Sequence, residues 1–179
     1  MNLPNKLTVL RVLLIPFFVA SLLYKGGEDY NFRIVALIIF AVAAITDTLD
    51  GMIARKYNLI TDFGKFMDPL ADKVLVCSGL ICFVELRQLS SVVVLIVIAR
   101  EFIISGIRLV ASDNGVVIAA AMSGKLKTVV QMITVILLII NLSQLSVVTN
   151  IFIVLMLFLT VFSLCEYIIK NKSVIMSSK

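Results

Sequence analysis

Long apolar runs alternate with short polar segments along the whole chain. Six runs approach the length of about 20 residues that a helix needs to cross a bilayer: 7–23, 34–54, 66–86, 91–111, 126–142 and 147–169. Polar or glycine-containing turns separate them near residues 26–27, 87–88, 113–115 and 141–146. The pattern predicts an all-α integral membrane protein with six transmembrane helices in a single domain, residues 1–179.

The composition agrees with this pattern and excludes an ordinary soluble domain. Hydrophobic residues make up 61% of the 179 positions, and the mean hydropathy is +1.12. Soluble domains are only about half apolar, so no single soluble core could bury this much. The chain contains no histidine, so a carboxylate or a lysine is the expected general base near neutral pH. We expect the lipid bilayer as the surrounding medium and no nucleic-acid partner.

The distribution of lysine and arginine predicts the orientation of the six helices. With the N-terminus inside, only Lys25, Arg33 and Arg87 of the 16 basic residues fall on the outer side. Because basic residues concentrate on the cytoplasmic side of membrane proteins, both termini are expected in the cytoplasm. The acidic segment at residues 47–72 then also faces the cytoplasm.

Four aspartates in this segment are the strongest candidates for chemistry. Asp47 and Asp50 are three residues apart, and Asp68 and Asp72 are four apart. Either spacing places two side chains on one face of a helix. Carboxylates are costly within membrane helices, and oxygen ligands favour magnesium, manganese or calcium. The pattern predicts a divalent-metal site on two consecutive helices that a short loop joins.

Asp68 precedes Pro69, and this pair has a second interpretation. An Asp-Pro pair is common at the start of a helix, where the aspartate caps free amides and the proline occupies the first turn. Capping does not explain Asp72 one turn later, nor Asp47 and Asp50 at the end of the preceding apolar run. We therefore favour the metal-site interpretation.

The acidic segment also resembles the signature of a known family. It matches the pattern D-x2-D-G-x2-A-R-x8-G-x3-D-x3-D of the CDP-alcohol phosphatidyltransferases at every fixed position: Asp47, Asp50, Gly51, Ala54, Arg55, Gly64, Asp68 and Asp72. The opening NLPNKLTVLRVLLIP and the runs AREFIISGIRL and GKLKT resemble the bacterial branch that forms phosphatidylglycerophosphate. The resemblance extends over nearly the whole chain and implies six membrane helices.

This resemblance implies an activity and a set of roles. The phosphatidyl group of CDP-diacylglycerol would pass to the 1-hydroxyl of glycerol 3-phosphate, with release of CMP. Two Mg²⁺ ions, or Mn²⁺ in their place, would be held by Asp47, Asp50, Asp68 and Asp72. Asp72 would also accept the hydroxyl proton. CDP would be bound by Asn5, Thr8, Gly51, Ala54, Arg55 and Gly64. The family also implies a homodimer in the bacterial cytoplasmic membrane.

Glycerol 3-phosphate carries an anionic group that a neutral alcohol lacks, so a basic pocket is expected near the metals. The candidates are Arg100, Arg108, Lys125 and Lys127. Arg100 lies within an apolar run beside Glu101, and an intramembrane ion pair would explain it nearly as well. Lys125 and Lys127 are alternatively ordinary cytoplasmic anchors of the fifth helix.

Other classes of function stay open at this point. A sibling transferase that uses inositol phosphate, serine or another alcohol would share all four aspartates. A cation transporter would also place acids in the membrane, but the fixed glycine, alanine and arginine positions have no evident use in an ion path. Prenyltransferases also combine paired aspartates with magnesium, yet their motifs lack this glycine and arginine spacing.

Overall fold

The structure is a computed structural model of the chain. It describes the backbone of residues 3–56, 62–113 and 121–172, and the side chains of residues 6–47, 71, 73–111 and 121–172. Every regular element in these ranges is a helix, and they contain no strand. The predicted all-α fold is therefore confirmed for the described part of the chain.

Within the described ranges, six α-helices follow the six predicted apolar runs. They are α1 (Leu3–Leu23), α2 (Tyr30–Lys56), α3 (Asp62–Glu85), α4 (Ser91–Asp113), α5 (Met122–Ile140) and α6 (Ser146–Lys170). Short 3-10 helices, Tyr24–Gly27 and Ser143–Leu145, follow α1 and α5. Helices α1, α2, α3 and α5 begin four residues before the predicted runs, because polar residues can form the first turn of a helix without adding to the hydrophobic pattern.

Four segments are long and apolar enough to cross a membrane, counted over the residues that the structure describes. They are Lys6–Gly27, Tyr30–Asp47, Met122–Ile140 and Ser143–Lys170. Helix α4 is not among them because Arg100, Glu101 and Arg108 interrupt its apolar sequence. Helix α3 carries the second aspartate pair in its first half. Arg100 and Arg108 in α4 are among the residues predicted to carry function.

The first compact unit comprises Met1–Leu89 together with Leu138–Ile140. Within it, α1 packs against both α2 and α3. Side chains spaced three or four residues apart form the buried face of α1: Thr8, Arg11, Ile15, Phe18 and Leu22. A Cβ added at Gly79 in α3 would lie 3.3 Å from the Phe18 ring, so this glycine allows α1 and α3 to approach closely.

The turn between α1 and α2 depends on two glycines. Gly26 and Gly27 have φ angles of +66° and +73°, which glycine adopts without steric cost. A Cβ at Gly27 would also lie 2.8 Å from Cδ2 of Leu86, so a side chain at this position would require the Leu86 side chain to move. Arg87 and Asn141 also have positive φ angles, of 57° and 48°, which confirms the turns predicted there.

The second compact unit comprises Ser90–Leu137 and Asn141–Lys179. Within it, α4 packs against α6, and the Thr134 hydroxyl of α5 donates to the Phe152 carbonyl of α6 at 3.3 Å. Apolar and hydroxyl side chains make up the buried face of α6: Met156, Leu159, Thr160, Ser163 and Tyr167. Large apolar side chains are exposed elsewhere on α6: Val147, Ile151, Val154 and Phe158. A helix that is apolar on nearly all sides suits a membrane environment.

Candidate active site

The two aspartate pairs lie on consecutive helices of the first unit. Asp47 and Asp50 belong to α2, and Asp68 and Asp72 belong to α3. These helices pack against each other, while the connecting residues 57–61 lie outside the described ranges. The prediction that the pairs occupy two neighbouring helices is therefore confirmed.

Asp68 does not cap a helix. Helix α3 begins at Asp62, so Asp68 and Pro69 lie more than one turn inside it. The amides that need a capping partner are those of the first four helical residues. The capping interpretation of this pair is therefore wrong, and Asp68 remains a candidate metal ligand.

Asp47 is the one motif aspartate whose side chain the structure describes. Its Oδ1 atom lies 2.8 Å from Nη1 of Arg11 in α1. Arg11 is 0% exposed, whereas the Asp47 side chain is 36% exposed. The Asp47 carboxylate therefore borders both the packed helices and open space.

The other motif residues lie in helical backbone, but their side chains fall outside the described ranges: Asp50, Gly51, Ala54, Arg55, Gly64, Asp68 and Asp72. The same holds for the side chain of Asn5 in α1. Among the side chains that are described, no three acids or thiols cluster as a metal site would need. Because three of the four predicted ligands are outside that set, the convergence of the aspartates stays a prediction.

Thr8, which is predicted to contact CDP, lies one turn before Arg11 on the same face of α1. It is 1% exposed, so its side chain faces the interior of the first unit. The sequence reasoning did not identify Arg11 as a functional residue. A charge in the apolar sequence of α1 was the available signal, because charged residues in membrane helices usually mark a partner or a functional site.

In the second unit, Arg100, Glu101 and Lys127 form one charge network. Nη1 of Arg100 lies 3.2 Å from Oε1 of Glu101, and Nζ of Lys127 contacts the same oxygen. Arg100 is 7% exposed and Lys127 is 1% exposed. The ion pair considered for Arg100 is confirmed, and Lys127 is not a surface anchor. Two cations from different helices therefore share the carboxylate of Glu101.

Ser163 in α6 adds a hydroxyl to this network. Its oxygen accepts hydrogen bonds from Nε of Arg100 at 3.2 Å and from Nη2 at 3.0 Å. Gly124 in α5 lies close to the same guanidinium, since a Cβ there would be 3.4 Å from Nη2. Three helices therefore meet at Arg100. Ser163 is far from Arg100 in the chain, so no local sequence pattern pointed to it.

Arg108 and Lys125, the other two acceptor candidates, have exposed side chains. They differ in this from Arg100 and Lys127, which lie in the interior of the second unit. The four predicted acceptor residues thus divide into a buried pair that contacts Glu101 and an exposed pair.

The chain is therefore an all-helical protein with helices long and apolar enough to cross a membrane, and it carries the acidic motif on two consecutive helices. Residues 1–162 match the CDP-alcohol phosphatidyltransferase family, and the chain belongs to that family. A Bacillus subtilis protein named CDP-diacylglycerol–glycerol-3-phosphate 3-phosphatidyltransferase is 42% identical, over 95% of each chain. A probable phosphatidylglycerophosphate synthase of Mycobacterium tuberculosis is 44% identical, over 79% of this chain and 68% of its own. A Haemophilus influenzae protein with the same name as the Bacillus relative is 42% identical, over 74% of this chain and 72% of its own.

Proposed function

We propose that the protein transfers the phosphatidyl group of CDP-diacylglycerol to sn-glycerol 3-phosphate and so forms phosphatidylglycerophosphate and CMP. The observation that carries this proposal is the 42% identity, over 95% of both chains, with a relative named for this reaction. The family match covers both compact units, and every fixed position of the family signature is present. We accordingly propose that residues 1–179 act as one membrane domain.

The four motif aspartates suit Mg²⁺, because this ion prefers carboxylate oxygens. Asp47 supports the assignment, since its partly exposed carboxylate lies at the edge of the first unit. We assign Asp47, Asp50, Asp68 and Asp72 as ligands of two Mg²⁺ ions, for which Mn²⁺ can substitute. Such ions neutralise a pyrophosphate and stabilise the departing phosphate when they are bound.

The residues of the chain itself bind the substrates and move the proton. Asp72 accepts the proton of the acceptor 1-hydroxyl at its carboxylate. The hydroxyl oxygen forms a bond to the phosphorus that carries diacylglycerol, and the bond to the CMP oxygen breaks, with its electron pair leaving on CMP. Arg55 donates hydrogen bonds to the CDP phosphates. We assign the CDP site to Asn5, Thr8, Gly51, Ala54, Arg55 and Gly64.

The charge network of the second unit supports a phosphorylated acceptor. Arg100 and Lys127 place two cations beside the single carboxylate of Glu101 in the protein interior. Guanidinium and ammonium groups are strong hydrogen-bond donors to phosphate oxygens, so a phosphorylated acceptor suits this network. Arg108 and Lys125 are exposed and add two further positive charges. This arrangement favours glycerol 3-phosphate over a neutral alcohol such as serine.

We also propose six transmembrane helices with both termini in the cytoplasm. Helices α3 and α4, with 24 and 23 residues, are long enough to span a bilayer. The charged pair Arg100 and Glu101 is consistent with α4 crossing the membrane, because ionisable residues in such helices face the interior and pair. The distribution of basic residues supports an active site that faces the cytoplasm, in the cytoplasmic membrane of a bacterium. By resemblance to the family, the protein forms a homodimer.

Transfer of labelled acceptor by the purified protein tests this function. With CDP-diacylglycerol and Mg²⁺, radiolabelled glycerol 3-phosphate should enter the lipid fraction, and excess EDTA should abolish the transfer. Serine, inositol and inositol phosphate serve as parallel acceptors. Transfer to one of these, with none to glycerol 3-phosphate, would assign the chain to a sibling enzyme. No transfer to any acceptor would contradict the enzymatic function.

A further inference from the structure

Arg11 is a fully buried cation that contacts a predicted metal ligand. Its side chain is 0% exposed, and its Nη1 atom lies 2.8 Å from Oδ1 of Asp47. A guanidinium that leaves water is strongly destabilised unless an opposite charge accompanies it. Asp47 supplies such a charge, and the pair connects α1 to α2 at the first aspartate of the motif.

The contact restricts the Asp47 carboxylate without covering it. An ionised carboxylate offers about four lone-pair positions on two oxygens, and the Asp47 side chain keeps 36% of its exposure beside Arg11. The guanidinium is held by the packing of α1, and its Nη1 atom approaches the carboxylate at ion-pair distance without hydrogen-bond geometry. A fixed charge at this distance still favours some rotations of the carboxylate over others. Metal ligands are commonly oriented in this way by residues behind them.

We propose that Arg11 is a positioning residue, which holds the carboxylate of Asp47 in the orientation that receives a divalent cation. This inference rests on the metal site of the proposed function. Arg11 acts through Asp47 and contacts neither substrate nor metal. The buried face of α1 would then have two roles at the site. Arg11 would position Asp47, and Thr8, which lies one turn earlier on that face, would bind CDP.

The direction in which metal affinity changes when Arg11 is removed distinguishes this role from two simpler ones. If Arg11 orients Asp47, its removal weakens metal binding, as loss of an outer partner of a metal ligand typically does by about 10- to 100-fold. If Arg11 only competes with the cation for the carboxylate, its removal strengthens metal binding. If Arg11 only packs α1 against its neighbours, its removal changes stability and leaves the metal affinity unchanged.

Binding of Mn²⁺ to the purified full-length protein without substrates tests the proposal. The loss of the electron paramagnetic resonance signal of free Mn²⁺ measures the affinity directly. Arg11→Met should weaken binding by about tenfold or more, and Arg11→Lys should recover part of the loss because it restores the charge. Arg11→Gln removes the charge but keeps a polar side chain, and it provides the same test if Arg11→Met does not fold. Unchanged or tighter binding in either neutral variant would overturn the proposal.

Arg33→Met is the matched control. Arg33 is also buried in the first unit, but its guanidinium donates to the backbone carbonyls of Gly27, Leu138 and Ile139. Its removal should lower stability and leave the Mn²⁺ affinity at the wild-type value. An equal loss of affinity in Arg33→Met would attribute the Arg11 effect to general destabilisation and reject the positioning role.

The same measurement distinguishes failure of this inference from failure of the proposed metal site. Wild-type protein that binds no Mn²⁺ would reject the site and the role of Arg11 together. Wild-type protein that binds Mn²⁺, with unaffected binding in Arg11→Met, would reject only the role of Arg11.

Discussion

Arg100 in α4 donates two hydrogen bonds to the hydroxyl of Ser163 in α6, from Nε at 3.2 Å and from Nη2 at 3.0 Å. Its remaining nitrogen, Nη1, pairs with Glu101. Each nitrogen of this buried guanidinium therefore has a partner, as a cation away from water requires. The residues proposed to serve the acceptor phosphate thus also connect α4 to α6.

Ser163→Ala should destabilise the protein because it removes both of these hydrogen bonds from a buried charge. We expect a loss of about 1–3 kcal/mol, measured as the change in the free energy of unfolding in detergent. Ser21→Ala is the control, because the buried Ser21 hydroxyl donates to carbonyls of its own helix, those of Phe17 at 2.8 Å and Phe18 at 2.9 Å. A loss in Ser21→Ala as large as that in Ser163→Ala would contradict a special role for the contact between helices.

Lys127→Met should raise the KM for glycerol 3-phosphate. The substitution removes one of the two cations beside Glu101, and an ammonium group is a strong donor to a phosphate. We expect KM to rise by about tenfold, as for the loss of one charge-assisted contact. Lys170→Met is the control, since Lys170 is exposed and pairs with Glu166 within α6 at 2.5 Å. An unchanged KM in Lys127→Met would leave Lys127 with a structural role only.

Arg108→Ala should also raise the KM for glycerol 3-phosphate, with a smaller effect on kcat. Arg108 is exposed, so its removal leaves no unpaired charge in the interior and should barely change stability. If Arg108 binds the acceptor phosphate equally in the ground and transition states, KM alone responds. Steady-state kinetics at varied glycerol 3-phosphate concentrations measure KM and kcat separately. A fall in kcat at constant KM would contradict the assignment.

The helices were predictable from the sequence because a membrane helix must be apolar over about 20 residues. That requirement gives a stronger signal than the alternating patterns of a soluble protein. The turn at Gly26 and Gly27 was predictable for a similar reason, since few residues other than glycine adopt a positive φ readily. The starts of the helices were less accurate, because charged residues and glycine interrupt the hydrophobic signal in the first turn of α3, as Asp62, Gly64 and Lys65 do.

The pairing of side chains between helices was not predictable in the same way. Helical periodicity shows which residues share a face, but it does not show which faces meet. Glu101 could be proposed as a partner of Arg100 because the two residues are adjacent. The contacts of Arg11 with Asp47 and of Arg100 with Ser163 join distant parts of the chain, and only the packing of the helices reveals them.

Asp72→Asn should abolish turnover and leave folding and Mn²⁺ binding largely intact. An amide cannot accept the acceptor hydroxyl proton as a carboxylate does, whereas its oxygen can still approach a metal ion. Single-turnover assays and Mn²⁺ titration of the same preparation separate the two properties. Asp29→Asn is the control, because Asp29 accepts a hydrogen bond from the Asn31 amide at the start of α2, away from the motif. Turnover near the wild-type rate in Asp72→Asn would reject Asp72 as the base.

Removal of the metal should lower the stability of the protein, and the size of this loss should depend on Asp47. Mg²⁺ at 100 times its Kd should stabilise the wild-type protein by about 2.7 kcal/mol relative to the protein in EDTA, and Asp47→Ala, which leaves no oxygen ligand at this position, should lose most of this response. In EDTA, Asp47→Ala should also be less stable than the wild type by about 1–3 kcal/mol, because buried Arg11 loses the charge of its partner while water still reaches the exposed part of residue 47.

The double variant Arg11→Met with Asp47→Ala separates the loss of metal binding from the loss of charge pairing. Its stability in EDTA should return towards the wild-type value, because an apolar side chain replaces the uncompensated guanidinium. Its response to Mg²⁺ should stay low, because the ligand is still absent. Thermal unfolding of the four proteins with Mg²⁺ and with EDTA measures both quantities. If the two substitutions destabilise the protein additively in EDTA, the two side chains are not coupled, and Arg11 does not hold Asp47 in place.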